Sequence, residues 1–133
     1  MNRPLLLLAG VALLALGACL SRRMAPDASL WLCSLSDLAG SLTANETGSR
    51  YSYRMSKAAL NMVVRCAQAE QPDITVLAIH PGWVQTDMGG AAAPLTPEQS
   101  ASSLRQTLSH VLEQRDPKHR GAFLNHDGST LPW

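Results

Sequence analysis

The chain has 133 residues, enough for one domain with a modest core. With 46% hydrophobic and 16% charged residues it reads as a globular sequence, and a net charge of +1 gives no electrostatic case for nucleic acid or acidic partners. Cys19, Cys33 and Cys66 lack metal-ligand spacing, so no metal site is expected; Cys33 and Cys66 sit in apolar runs, as small core residues of a reducing compartment do.

Residues 1–23 form an apolar segment with competing readings. Asn2-Arg3 followed by Leu5 to Leu16 resembles the charged and apolar regions of a secretory signal. Leu16-Gly17-Ala18-Cys19 has the form of a lipobox, which would lipidate Cys19 and anchor the chain to a membrane as a lipoprotein. The run is short for a transmembrane helix, which takes about 20 apolar residues. The favoured reading is a leucine- and alanine-rich helix, apolar all round and buried by the fold. It predicts a cytoplasmic chain.

Leu30–Cys33 is a short buried-strand candidate, and residues 34–50 are polar and glycine-bearing, a long loop of the kind that lines active sites. Tyr53 to about Ala69 is a predicted helix, with Leu60, Val63, Val64 and Ala67 at helical spacing. Ile74–Ile79, apolar and β-branched, is a predicted strand buried on both faces, and residues 80–95 are a loop. Thr96-Pro97-Glu98-Gln99 opens a second helix with a capping box, and Ala101, Leu104, Leu108, Val111 and Leu112 are its expected buried stripe. Gly121–Asn125 is a last strand, followed by a turn at Asp127-Gly128. The alternation of helices and strands implies an α/β fold with a parallel sheet of about three strands.

Within the first of these helices, Tyr53 and Lys57 stand four residues apart and share a face. A free phenol has a pKa near 10; a nearby ammonium would lower it and move Tyr53 toward the working range of a general acid–base. Tyr51 would point elsewhere. After the second strand comes His80-Pro81-Gly82-Trp83-Val84-Gln85-Thr86-Asp87-Met88. A Y-x-x-x-K helix, a hydrophobic strand and then P-G-x-V-x-T-D-M closely resemble the short-chain dehydrogenase/reductase family. The stretches around Tyr53–Met62, His80–Gly90 and Phe123–Trp133 resemble its carbonyl-reductase and C-factor-like branch.

The resemblance covers about Met24 to the C-terminus and implies the C-terminal half of a doubly wound Rossmann-type sheet. It implies NAD or NADP as cofactor and a small carbonyl or alcohol substrate. Tyr53 would protonate the substrate oxygen or take its proton, with Lys57 lowering the phenol's pKa and binding the nicotinamide ribose. Ser36 would hold the substrate oxygen, with Ser41 as the second candidate. Asp37 stands where relatives often have a small residue, and its carboxylate would oppose negative charge on that oxygen. Pro81, Gly82 and Val84 would face the nicotinamide and Thr86 its amide or pyrophosphate. Trp83 is expected to pack over this loop, His80 to be structural, and His110 and His119 to be solvated.

Complete members run to roughly 250 residues, and the glycine-rich G-x-x-x-G-x-G turn that would cradle the pyrophosphate is not in this sequence. Neither is an assured counterpart of the family's catalytic asparagine, Asn2 standing too far from Met24. The expectation is therefore an N-terminally truncated oxidoreductase, inactive alone and self-associating through an exposed strand edge at Leu30–Cys33. The rival expectations are an inactive remnant or interaction module, and an exported lipoprotein reusing the half-fold.

Overall fold

The computed structural model describes residues 31–114 and 116–133. The expectations for residues 1–23, for Cys19 and for Leu30 lie outside the described residues. Five main elements follow in order: β1 (Trp31–Leu35), α1 (Tyr51–Glu70), β2 (Thr75–His80), α2 (Pro97–Gln114) and β3 (Phe123–Asn125). The strands form one parallel sheet in the order β1-β2-β3. This is the expected α/β half-sheet.

Alternation along β2 divides its side chains between two helices, since successive strand residues face opposite sides. Leu77 and Ile79 pack with Val111, Ala122 and Leu124, with Leu104 and Leu108 of α2 against them. Val76 and Ala78 pack with Val64 of α1 and Phe123, backed by Ala67, Ile74, Leu131 and Trp133. The central strand is thus covered on both faces, as its continuous apolar run predicts. Phe123 is fully buried and stacks on Trp133 with ring centroids 5.3 Å apart.

The α2 start follows the capping-box expectation. Thr96 N–H donates to Gln99 Oε1 at 2.8 Å, and Gln99 N–H donates back to Thr96 Oγ1 at 3.2 Å. The buried stripe of α2 differs from the sequence reading. Ala101 and Leu112 are exposed, whereas Ser100 and Thr107 are buried. The physical reason is that α2 must hold backbone carbonyls as well as apolar surface. Ser100 Oγ donates to Pro81 O at 2.6 Å, and Thr107 Oγ1 donates to His126 O at 2.7 Å.

Other boundaries shift too. β1 runs on to Leu35, because its register with β2 continues to the pair Leu35–Ile79. Strand β2 begins at Thr75 rather than Ile74, and β3 at Phe123 rather than Gly121, whose φ of 66° is left-handed. Helix α1 starts at Tyr51, and the loop before it contains a 3₁₀ turn over Leu38–Gly40, capped by Asp37. Cys66 is exposed rather than in the core, since it falls on the solvent face of α1. His119 is buried rather than solvated, inside a second 3₁₀ turn at Pro117–His119. Among the described residues no helix is long and apolar enough to cross a membrane.

The packing assigns unequal weights to two apolar side chains. Phe123→Ala should destabilise the fold by about 3–5 kcal/mol through the cavity left between α1 and the sheet. Leu112→Ala, at an exposed position, should change stability by no more than about 0.5 kcal/mol. Urea unfolding midpoints of the two variants check both values.

Candidate active site

The cleft lies where the strands end. β1 and β2 stop side by side, and Ser36 N–H extends the ladder by donating to Ile79 O at 2.8 Å. Beyond that bond the chain turns away at Asp37 from one strand and at Pro81 from the other. In an open α/β sheet the carboxyl ends of the strands are where ligands bind. A cleft of about 740 Å³ opens here, bordered by Asp37, Tyr53, Lys57, Gly82, Thr86 and Trp83 among others.

Helix α1 reaches the cleft because Gly40 lets the 3₁₀ turn lie directly on it. A Cβ on Gly40 would sit 2.7 Å from the Lys57 carbonyl carbon and 2.8 Å from Lys57 Cβ. This contact sets Tyr53 and Lys57 beside the end of β1. The opposite wall is the bend at Gly82, which has φ of 84°. A Cβ there would also meet Leu95 Cδ1 at 2.6 Å and His126 Cδ2 at 2.7 Å, so both the backbone and the space require glycine.

The loop after the bend closes on itself. Val84 bridges to Leu95, Trp83 Nε1 donates to Gly89 O at 2.8 Å, and Gly89 N–H donates to Thr86 Oγ1 at 3.1 Å. Trp83 therefore lies over the loop and remains 56% exposed at the cleft.

The structure brings Ser36, Tyr53, Lys57, Pro81, Gly82, Val84 and Thr86 to one cleft. It also ties Ser36 to helix α1. Ser36 is buried and its hydroxyl donates to Asn61 Oδ1, while Tyr53 O–H donates to Asp37 Oδ2 at 2.7 Å. Ser41 faces away from the cleft region, accepting from Ala44 N–H at 3.0 Å. Asp37, one position after Ser36, is thus the group against the phenol. Its other oxygen, Oδ1, accepts from Ala39 N–H at 2.7 Å and caps the 3₁₀ turn, so the carboxylate is held at both ends.

Sequence reasoning missed Asn61 and Arg50. Asn61 is legible in retrospect, because it follows Lys57 by four residues, as Lys57 follows Tyr53, and so shares their helix face. It is buried, and its Nδ2 has no hydrogen-bond partner among the described residues. Arg50 carried no periodic signal; it enters the cleft through an unusual backbone conformation just before α1.

The expected lowering of the Tyr53 pKa is overturned. Burial of the phenol and its hydrogen bond to the Asp37 carboxylate push it up to about 12, against a weaker opposing pull from Arg50. Lys57 Nζ lies over the ring, 5.7 Å from its centroid, a cation–π placement rather than a contact at the hydroxyl. Burial also holds the His80 imidazole below its usual range, with Asp37 pulling the other way. Among the described residues no group of His, Cys, Asp and Glu could hold a metal ion.

A raised phenol pKa means that Tyr53 stays protonated as the pH passes the ordinary value of about 10 and ionises only near 12. In a Tyr51→Phe background Tyr53 is the one remaining tyrosine, so the ultraviolet phenolate band should rise near that higher pH. Asp37→Asn removes the carboxylate and should return the midpoint toward the ordinary value. An unshifted midpoint in the Asn variant would contradict the assignment of the pair.

No family model matches the chain. The chain is similar to the C-signal of Myxococcus xanthus, with 46% identity over 97 residues, covering 71% of this chain and 55% of that protein. Its structure is similar to the carbonyl reductase Sniffer of D. melanogaster, with a TM-score of 0.72, 37% identity, and coverage of 77% of this chain and 41% of the other. It is also similar to an NADPH-bound carbonyl reductase from chicken fatty liver, with a TM-score of 0.68, 37% identity, and coverage of 77% and 42%. The chain spans about half the length of the curated relatives it matches. By these likenesses the chain belongs to the short-chain dehydrogenase/reductase family, in its carbonyl-reductase branch, and its described residues form the C-terminal half of that fold.

Proposed function

We propose that the cleft is the nicotinamide and substrate end of an NAD(P)-dependent oxidoreductase site, acting on a small carbonyl or alcohol compound. The observation that carries this reading is the convergence of Tyr53, Lys57 and the Gly82 bend on one cleft. The donor set fits a nicotinamide. Pro81, Gly82 and Val84 border the cleft with their backbone, and Thr86 and the loop backbone offer polar groups to the nicotinamide's carboxamide. The NADPH-bound neighbour supports the same cofactor class. When bound, the nicotinamide would supply or accept a hydride.

The chain's own residues do the rest. Tyr53 sits within reach of the cleft to move a proton at the substrate oxygen. Lys57 supplies positive charge beside it and a donor for a ribose hydroxyl. Pro81, Gly82, Val84 and Thr86 orient the ring. Ser36, on the same lining, donates to Asn61 and so also fixes the end of β1 on α1. The reading covers this end of the cofactor alone, since the glycine-rich turn for the pyrophosphate is not in the sequence given.

A second reading is a half-fold that binds without turnover. Asp37 favours it, because a carboxylate bonded to the phenol opposes the negative charge that develops when a carbonyl is reduced. Turnover of NADPH with a carbonyl compound that is lost in Tyr53→Phe would set it aside.

Binding tests the first reading directly. Reduced nicotinamide mononucleotide should bind the chain, with a fluorescence change, and AMP should not. Gly82→Val, whose side chain would collide with Leu95 and His126 and displace the bend, should weaken that binding by about tenfold or more. No binding of the reduced mononucleotide, or undiminished binding by the valine variant, would contradict the proposal.

A further inference from the structure

We propose that the substrate of this cleft is a hydroxy acid, whose hydroxyl donates toward Asp37 and Tyr53 and whose carboxylate pairs with Arg50. The inference rests on the reading of the cleft given above and names its substrate class. It begins with a count of donors and acceptors. Asp37 Oδ1 accepts from Ala39 N–H and Oδ2 from the Tyr53 hydroxyl, each at 2.7 Å. A carboxylate has about four acceptor positions, so capacity remains on the cleft side. Tyr53 has spent its one proton on Asp37, which leaves the phenol oxygen as an acceptor too.

The Asp37–Tyr53 pair therefore presents lone pairs to the cleft. A ligand group set against the pair must bring a proton. A hydroxyl meets that requirement, whereas a carbonyl oxygen at that position would leave the pair's acceptors unmatched.

Arg50 supplies the second half. Gly48, Ser49 and Arg50 have φ of 65°, 61° and 48°, a left-handed run in which two members are not glycine. Such backbone is costly and persists only when its surroundings impose it. Here Arg54 imposes it: its Nε donates to Gly48 O at 3.0 Å and to Ser49 O at 3.1 Å. The turn delivers Arg50 to the cleft, and its side chain makes no ion pair or hydrogen bond among the described residues. Lys57 lines the same space. With Asp37 the only carboxylate on the lining among the described residues, Arg50 and Lys57 leave one positive charge unbalanced there, which matches a single ligand carboxylate. The guanidinium fork suits that group in particular.

The step balances in the oxidising direction. The alcohol carbon would give up a hydride, which oxidised nicotinamide bound in the cleft would accept, and the C–O bond would become a carbonyl. The hydroxyl proton passes to the Tyr53 oxygen as the phenol's own proton moves to Asp37. The products are a keto acid and reduced nicotinamide.

Three probes test the assignment by fluorescence titration of the full chain at neutral pH, without dinucleotide. They are mandelate, 1-phenylethanol (no carboxylate) and benzoylformate (no hydroxyl). Mandelate should bind at least about tenfold more tightly than either, as one charge-assisted contact or one unmatched acceptor warrants. Arg50→Gln should erase the preference over 1-phenylethanol alone, and Asp37→Asn the preference over benzoylformate alone, with circular dichroism confirming that both variants fold. Equal affinity for the three probes, no binding of mandelate, or preferences that survive both substitutions would overturn the proposal. Because no nicotinamide enters this titration, its outcome is independent of whether reduced nicotinamide mononucleotide binds.

Discussion

The parallel pairing of β1 with β2 is the constraint from which the site follows. Five residue pairs run in register from Trp31–Thr75 to Leu35–Ile79, and one more backbone bond, from Ser36 to Ile79, ends the ladder. Both strands must then leave the sheet at the same level. Parallel strands need a crossover, and α1 provides it while covering one face of the sheet. Its length brings its first turns back to the strand ends, where Gly40 allows contact at van der Waals limits. Apolar burial on both faces of β2 thus holds the geometry of groups that are themselves polar and partly exposed.

Within that frame the electrostatics centre on Asp37 and Tyr53. A phenol bonded to a carboxylate is a weaker acid than a free one, because ionisation would put two negative charges 2.7 Å apart. Lys57 does not offset this, since its ammonium lies over the ring face. Arg50 and Lys57 keep the cleft from being acidic as a whole.

The fold was largely legible in the sequence, because long periodic segments carry their own signal. The continuous apolar run of β2, the Thr96–Gln99 capping box and the Val64–Ala67 face of α1 all appear where their patterns place them. The site was legible only in outline. Tyr53, Lys57 and Gly82 were found through the family resemblance of their motifs, but a local motif does not record what lies across a cleft. Ser36 and Asp37 both border the cleft, but Asp37 is the one bonded to the phenol, while the Ser36 hydroxyl donates to Asn61. Ala101 and Leu112 failed as core residues for a similar reason: the polar Ser100 and Thr107 were needed to hold the carbonyls of Pro81 and His126. A hydrophobicity pattern cannot see that demand.

The most direct measurement is saturation-transfer NMR of NADPH with the intact chain. Saturation should concentrate on the nicotinamide ring protons and leave the adenine protons nearly untouched, because only that end of the cofactor is proposed to sit between Tyr53 and Gly82. Saturation centred on the adenine, or none on either ring, would contradict the assignment of this cleft.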